Sequence, residues 1–361
     1  MARRRRGRDH RHHCCDHRRG AGTHRARGVL PRLPAGGDEH LQDQGRLTSP
    51  ASRPITLRSR VNESDLHNHI YARSGALKLG SSQLLVGPGD DCAVIQSPSG
   101  DTQLLTVDQI VEGRHFTPDT DIDLIARKAI ARSVSDIAAM GGHPDWALAT
   151  GVLPRGYPHA NTLFDAMSTW ANHWSCPLVG GDIASHSSPD HPLTLTVTVG
   201  GTMPTGTQPV LRSGAKPGDL LYVTGQIGGS FESGWHLRFE PRVEVGQWAA
   251  KHNAHAMMDL SDGLGRDANR IAVASGVRIE LDATKLPISH RCTDWRQAVG
   301  EGEDYELLIA LDPKQSIDDC PIQLLGPIGV VQACGQDQSP GAVITDPYGK
   351  AYDASTMGWD H

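Results

Sequence analysis

The hydrophobic positions of residues 62–361 recur with helical and strand periods, whereas residues 1–60 have almost no such period. The clearest helical pattern is "DIDLIARKAIARSVSDIAAMGG", residues 121–142, where apolar residues recur every three or four positions and the Gly-Gly pair predicts the end. A second helix is predicted over "ANTLFDAMSTWANHW", and shorter ones from Asn62 to Leu77 and around "FESGWHLRF".

Apolar runs bounded by Gly, Pro and Asp predict strands between these helices. In the first half, "SQLLVGPGDDCAVI" predicts strand, turn and strand, "TQLLTVDQIVEG" predicts one strand, and "PLVGGDIAS" and "PLTLTVTVGGTM" predict a hairpin-like return. In the second half, strands are predicted in "DLLYVTG", on both sides of the helix in "AMMDLSDGLGRDANRIAVASGVRIEL", and at the end of "GEGEDYELLIAL". The pattern therefore predicts an α/β (mixed α+β) protein with two domains, residues 61–205 and 206–361.

Residues 1–60 differ from the remainder in charge. They contain fifteen Arg, no Lys and five acids, a net charge of +10, whereas the rest of the chain carries −16. We expect this Arg/His-rich extension to be disordered, because it cannot bury enough apolar surface to offset chain entropy. It has features of a nucleic-acid arm, a metal-binding "HHCCDH" segment or a targeting leader. The simplest interpretation is that it has no function and that translation begins near Val61, so nucleic acid is not an expected partner.

Composition narrows the remaining function classes. The seven cysteines are odd in number and form no CxxC pair, which disfavours a disulfide framework or a zinc ribbon. No apolar run approaches the roughly 18 residues of a membrane span. The sequence thus predicts a cytoplasmic protein with no membrane partner.

Carboxylates recur at strand ends or beside small residues. They are Asp90-Asp91, Asp108, Asp136, Asp182, Asp259, Asp262 and Glu303-Asp304. Taken singly, each is explained as a cap or turn residue. Taken together they are also explained as hard oxygen ligands for several Mg²⁺ ions, because a buried carboxylate is costly unless it is paired or bound to metal. No cluster of Lys or Arg lies beside them in the sequence, which favours the metal.

An acidic site handles polyphosphate only through divalent metal. The chain has no G-x-x-x-x-G-K-[ST] loop, no kinase catalytic-loop pattern, and no convincing Ser-His-Asp or Cys-His grouping. A phosphate monoester needs no general base as acceptor, because it is already largely a dianion at neutral pH. The residue inventory therefore favours phosphoryl transfer to a phosphate oxygen, with no side-chain base.

The motifs "GPGDDCAVI", "LLTVDQIVEGRHF", "ARSVSDIAAMGGHPDWAL", "LVGGDIAS", "RSGAKPGDLLYVTG", "MMDLSDGL", "GEDYELL" and "GWDH" resemble, in order and spacing, those of the thiamine-monophosphate kinase family. The resemblance runs from about residue 63 to the C-terminus. It implies the two-domain fold of aminoimidazole ribonucleotide synthetase, and a homodimer whose N-terminal domains form the interface. It also implies ATP-dependent phosphorylation of thiamine monophosphate to thiamine diphosphate with several Mg²⁺ ions.

The resemblance further implies roles for single residues. Metal ligands are implied at Asp91, Thr106, Val107 (through its backbone), Asp108, Asp136, Asp182, Asp259 and Asp262. ATP contacts are implied at Gly181, Asp182, Arg212 and Ser261, and contacts to thiamine monophosphate at His115, Glu303 and Thr356.

Three departures from the family pattern concern the substrate side. Glu301 replaces a Gly in "EGED", the tail lacks a final Phe, and Thr356 occupies the position of an expected aromatic residue. The aromatic residue that stacks on the substrate ring would then be Trp359 or Tyr352. Two alternatives to the kinase are another ATP-dependent synthetase or maturation enzyme of the same superfamily, and a non-catalytic nucleotide- or metal-binding scaffold.

Overall fold

The computed structural model describes residues 66, 69–71, 74 and 77–359. The predicted disordered extension, residues 1–60, lies outside these residues. Within the predicted helix from Asn62 to Leu77, residues 66, 69–71 and 74 are helical, and the rest of that prediction falls mostly outside the described part of the chain.

The first half of the described chain forms a six-stranded sheet in the order β1-β2-β3-β6-β4-β5. Its elements are β1 Gln83–Val86, β2 Ala93–Gln96, β3 Thr102–Val111, α1 Ile122–Ala139, β4 His143–Leu153, α2 Ala160–His173, β5 Leu178–Ser185 and β6 Thr194–Thr202. Both long helices and five of the six strands fall where the hydrophobic pattern predicts an element, whereas β4 was not predicted.

The hairpin-like return expected between "PLVGGDIAS" and "PLTLTVTVGGTM" is wrong. β5 pairs in parallel with β4, and β6 lies on the other side of β4, antiparallel to it and to β3. Parallel neighbours need a crossover, and α2 provides it between β4 and β5. As a result, β5 is an edge strand, three strands away from β3.

Helix α1 is the central element of the molecule. It begins where the side chain of Asp121 accepts a hydrogen bond from the backbone of Asp123, and it ends before Gly141, which has a φ of 77°. Its residues are buried on most sides, because it packs against the first sheet, against α2 and against elements of the second half. Its polar residues Arg127, Lys128, Ser133 and Ser135 are therefore buried in protein, whereas Asp123 in the first turn is exposed.

The second half forms a seven-stranded sheet in the order β13-β12-β9-β11-β7-β10-β8. Its elements are β7 Leu220–Val223, α3 Val243–Lys251, β8 Ala256–Asp259, α4 Leu264–Ser275, β9 Arg278–Asp282, α5 Trp295–Gly300, β10 Leu307–Leu311, β11 Leu325–Gln332, β12 Gly341–Thr345 and β13 Ala351–Asp353. The helix expected around "FESGWHLRF" is wrong in extent: a single 3-10 turn, Trp235–Leu237, forms there.

Each sheet packs on a hydrophobic core of its own, one built around α1 and α2 and the other around α4. The strands of the first sheet end at Thr202 and those of the second begin at Leu220. The predicted division after residue 205 falls in the connection between them and stays a prediction, since the described residues all belong to one compact unit.

Candidate active site between the two sheets

A pocket of about 440 Å³ lies where the turn after β1, the middle of β3, helix α1 and the loops after β8 and α5 meet. Its lining includes most of the predicted site residues: Asp91, Thr106, Val107, Asp108, Asp136, Arg212, Asp259, Ser261, Asp262 and Glu303. Asp90, Arg132 and Arg270 also line it. The acids of the two halves of the chain thus share one cavity.

Three of these acids come close enough to share a cation. Carboxylate oxygens of Asp91, Asp136 and Asp259 all lie within 4.8 Å of one another. Asp91 follows the first turn, Asp136 lies on α1, and Asp259 ends β8 of the second sheet. Among the described residues, Asp91 Oδ2 is buried and has no hydrogen-bond partner. This unpaired, buried carboxylate oxygen is what a hard divalent cation would satisfy.

Hydroxyl groups orient two of the three carboxylates. Thr106 Oγ1 donates to Asp136 Oδ2, and Ser135 Oγ donates to Asp259 Oδ2 over 2.6 Å. Both contacts leave the other carboxylate oxygen of each acid for another ligand. Thr106, predicted as a metal ligand, therefore also has a role in holding Asp136.

Arginines pair with three other site acids, and two of these pairs join residues that are distant in sequence. Arg212 contacts Asp91 at 2.5 Å. Arg132 contacts Asp108 at 3.3 Å, and Arg270 pairs with Asp262 and, at 2.8 Å, with Asp267. No cluster of basic residues lies close to these acids in the sequence, but the fold brings these arginines to them in space. Helical spacing could have revealed Arg132, which lies one turn before Asp136 on α1.

Burial, and after it repulsion by neighbouring acids, raises the pKa values of three of these carboxyl groups. Burial, followed by Asp108, Asp259 and Asp91, raises the pKa of Asp136 well above its ordinary value. The pKa of Asp259 is raised well above its ordinary value by burial and by Asp91, and that of Asp90 is raised to about 7 by burial and the neighbouring Asp91. Without a cation the cluster therefore resists full ionisation.

The donor set fits Mg²⁺. Carboxylate, hydroxyl and backbone oxygens are the ligands that this ion prefers, and no sulfur or imidazole ligand is part of the cluster. The convergence of three acids and the unpaired oxygen of Asp91 support the fit.

The predicted substrate residues His115 and Glu303 lie together beside this cluster. The ammonium of the fully buried Lys128 donates to the backbone carbonyl of His115 over 2.8 Å and to Glu303 Oε2. Burial lowers the pKa of His115 to about 3, so its ring is neutral. Its Nδ1 accepts from the backbone N–H of Val111 at 2.9 Å, which places the ring proton on Nε2.

Besides His115, which lies behind Glu303 and is not part of the lining, three predicted residues lie away from the pocket. Thr356 is exposed in the last 3-10 turn, where its hydroxyl donates to the carbonyl of Asp353. Gly181 and Asp182 lie on β5, the far edge of the first sheet. Asp182 is exposed and shares a cross-strand row with Thr150, Thr196 and Gln109, whereas Gly181 lies in the adjacent row with Ala149, Val197 and Asp108. Asp182 thus occupies the sheet face opposite to Asp108, roughly 14 Å away across three strands.

Of the two aromatic residues that could contact a substrate ring, one lies near this region. Trp359 stacks on Phe231, with ring centroids 5.7 Å apart, and its backbone N–H donates to the carbonyl of Asp262. The Phe231 ring in turn lies 5.7 Å from the ammonium of Lys128. Tyr352 instead packs against Trp295 and Arg296 on the second sheet. The geometry favours Trp359.

No helix among the described residues is long and apolar enough to cross a membrane. Family models of the AIR synthase related protein match the chain, the N-terminal domain over residues 89–203 and the C-terminal domain over residues 231–320. Both matched regions contribute residues to the pocket described above.

Individual proteins give the same result. A thiamine-monophosphate kinase of Rhodopirellula baltica is 37% identical over 257 residues, which cover 65% of this chain and 78% of the relative. A solved structure of AaThiL complexed with AMPPCP and TMP is 28% identical, with a TM-score of 0.71 over 85% of this chain and 99% of that one. The thiamine-monophosphate kinase of Stenotrophomonas maltophilia, also 28% identical, superposes with a TM-score of 0.60 over 77% of this chain and 94% of that one. The chain therefore belongs to the thiamine-monophosphate kinase family, with the fold of the AIR synthase related proteins.

Proposed function

We propose that this protein transfers the γ-phosphoryl group of ATP to the phosphate of thiamine monophosphate, giving thiamine diphosphate and ADP. The observation that supports this most directly is the convergence of Asp91, Asp136 and Asp259, from both halves of the chain, in one pocket with Arg212 and Glu303. The family to which the chain belongs carries out this reaction by name.

The proposed step is a direct displacement at the γ-phosphorus. A phosphate oxygen of thiamine monophosphate forms a bond to the γ-phosphorus, and the bond from that phosphorus to the β,γ-bridging oxygen breaks. The electron pair of the broken bond leaves with ADP. The acceptor phosphate is already anionic at neutral pH, so no side chain is needed to remove a proton from it.

Mg²⁺ would be held by Asp91, Asp136 and Asp259, with Asp108 and Asp262 at the margins of the same pocket, and when bound it would neutralise phosphate charge. The chain's own side chains supply the other contacts. Arg212 has a guanidinium at the pocket wall for an ATP phosphate, and Ser261 supplies a hydroxyl. Neutral His115, protonated on Nε2, is suited to donate to the acceptor phosphate, and Glu303 to accept from the aminopyrimidine of the substrate.

We also propose a homodimer formed through the open face of the first sheet. That face carries exposed apolar residues, among them Val107 at 61% and Leu148 at 37% exposure. In the part of the chain that the structure describes, no strand pairs with the outer edge of β5 beside it. Asp182 and Thr150 lie on this same face. A second copy seated there would bring Asp182 toward the partner's pocket, which reconciles its predicted role as a ligand with its distance from Asp108. A cytoplasmic location remains the expectation from the cysteine pattern.

Incubation of the purified full-length chain with ATP, thiamine monophosphate and MgCl₂ tests the reaction. We expect thiamine diphosphate and ADP in equal amounts, separated and quantified by chromatography, and none when EDTA is present. Thiamine in place of thiamine monophosphate serves as the control acceptor. ATP hydrolysis without thiamine diphosphate, or no consumption of ATP at all, would overturn the proposal and favour another ATP-dependent activity or a binding scaffold.

A further inference from the structure

The ammonium of Lys128 is one of the most deeply buried charges in the described chain. Its side chain has no solvent exposure, although it lies in the middle of helix α1, and desolvation lowers its pKa to about 8. A lysine in such a position is costly unless its charge is matched. The pocket lining does not include it, so neither the metal cluster nor the nucleotide explains its presence.

The contacts of Lys128 explain where its charge is used. Its Nζ reaches the carboxylate of Glu303, which comes from the loop before β10, and the carbonyl of His115, which comes from the loop after β3. It therefore links Glu303, which lines the pocket, to the loop that carries His115. The pair also crosses from the first half of the molecule to the second.

The backbone at Glu303 needs such a tie. Glu303 has a φ of 66° and Tyr305 a φ of 52°, both in the left-handed region that side chains other than Gly rarely adopt. Lys128 and Arg132 lower the pKa of Glu303 despite its burial, and the Tyr305 hydroxyl lies 3.4 Å from its Oε1. Lys128 holds Oε2 of Glu303. The other oxygen, Oε1, is therefore the one that remains to accept a hydrogen bond from a ligand.

Building on the proposed function, we propose that Lys128 is a positioning residue for the binding of thiamine monophosphate. Lys128 fixes the position of the Glu303 carboxylate relative to the loop that carries His115. The Lys128–Glu303 pair is neutral as a whole. It therefore recognises the substrate through a directed hydrogen bond from the aminopyrimidine to the carboxylate, and not through net negative charge. The cationic thiazolium is left to an aromatic surface such as Phe231 and Trp359.

The test compares Lys128→Met, Glu303→Gln and the double variant in steady-state kinetics with each substrate. We expect Lys128→Met to raise the KM for thiamine monophosphate about tenfold to hundredfold, the loss expected for one charge-assisted hydrogen bond, with the KM for ATP nearly unchanged. Because Lys128 acts through Glu303, the double variant should have the KM of Glu303→Gln alone.

Stability separates this role from a purely structural one. Lys128→Met leaves a buried unpaired carboxylate and should unfold at a lower temperature, whereas the double variant, which has no unpaired charge, should recover most of the loss. If Lys128→Met does not fold, the double variant still tests the proposal, because it removes the lysine and does not leave an unpaired carboxylate at position 303. Effects on KM that multiply in the double variant, or a KM for thiamine monophosphate that Lys128→Met leaves unchanged, would overturn the inference. Wild-type protein that fails to phosphorylate thiamine monophosphate would instead overturn the proposed function.

Discussion

Ser135 on helix α1 donates a hydrogen bond of 2.6 Å to Asp259 at the end of β8. This contact joins the helix that packs on the first sheet to a strand of the second, at the point where the three carboxylates converge. The hydroxyl holds one oxygen of Asp259 and thereby directs the other toward the pocket. The metal cluster is therefore organised by the packing of the two halves against each other.

Ser135→Ala should weaken the site without unfolding the protein. Loss of the orienting hydroxyl is expected to lower activity, or to raise the Mg²⁺ concentration needed for half-maximal activity, by about 10- to 100-fold. Ser133→Ala is the matched control, because Ser133 is buried on the same helix and donates one hydrogen bond of 2.9 Å, but to the carbonyl of Val197. Equal effects of the two substitutions in a Mg²⁺ titration would contradict the assignment.

Asp136→Asn should lower the activity and raise the stability of the metal-free protein. The pKa of Asp136 is raised by burial and by three neighbouring acids, so in metal-free protein its charge opposes folding at neutral pH. We expect the variant to be more stable than wild type without metal, on the order of 1 kcal/mol, and to lose at least about a hundredfold in turnover. Thermal unfolding with and without MgCl₂ and an ATP analogue checks the stability, and steady-state kinetics at saturating substrates check the turnover. A variant that Mg²⁺ stabilises as much as wild type would exclude Asp136 as a ligand.

Asp182 is predicted to act on the partner's site, because it lies on the open face of the first sheet, opposite to Asp108. If the dimer forms through that face, each active site contains Asp136 of one chain and Asp182 of the other. Asp136→Asn and Asp182→Asn then inactivate a site from different chains. Mixed dimers of the two variants then contain one intact site, and a statistical mixture should recover about a quarter of wild-type activity. Activity measured after co-expression of two differently tagged chains tests this. No recovery in purified mixed dimers would place Asp182 in its own chain's site, and full activity of the Asp182→Asn protein by itself would place it in no site.

Trp359, rather than Tyr352, should contact the substrate ring. Trp359 stacks on Phe231 near the Lys128 ammonium, whereas Tyr352 packs on Trp295. Trp359→Ala is expected to raise the KM for thiamine monophosphate by about tenfold, the loss of one stacking contact. Tyr352→Ala, as the control, should leave that KM close to the wild-type value. If Tyr352→Ala raised the KM for thiamine monophosphate and Trp359→Ala did not, Tyr352 would be the residue that contacts the substrate ring.

The acids of the site could be predicted from the sequence because each is surrounded by Gly, Ala or β-branched residues, in which an unpaired charge is unusual. The placement of Asp182 could not, because it depends on β6 lying between β3 and β4 and on the parallel pairing of β5. Those pairings are long-range, and a shift of one residue in a strand moves a side chain to the other face. The ion pair between Arg212 and Asp91 could not be predicted for the same reason, because the two residues are 121 residues apart.

The loop that carries Glu303 also gives a prediction on pH. The neighbouring Asp304 is buried, and desolvation raises its pKa to about 8, although Ser230 and the backbone of Gly228 donate to its Oδ1. Its Oδ2 is buried without a partner among the described residues. Since the folded pKa lies above the unfolded value of 3.8, the native state holds this proton more tightly. Its contribution to stability is complete below about pH 4 and is lost as pH rises through 8.

Asp304→Asn removes this linkage and keeps an acceptor for Gly228 and Ser230. In metal-free protein, we expect the variant to gain stability over wild type steadily from pH 5 to 8, by up to about 1.4 kcal/mol per pH unit, in denaturant unfolding. Asp346→Asn is the control. Hydrogen bonds from the backbone of Lys350 and Tyr348 hold the pKa of Asp346 below its ordinary value, so its contribution is constant above the unfolded pKa and is lost only at lower pH. Its difference from wild type should not change between pH 5 and 8. A pH-independent difference for Asp304→Asn as well would mean that Asp304 is ionised in the folded protein throughout this range.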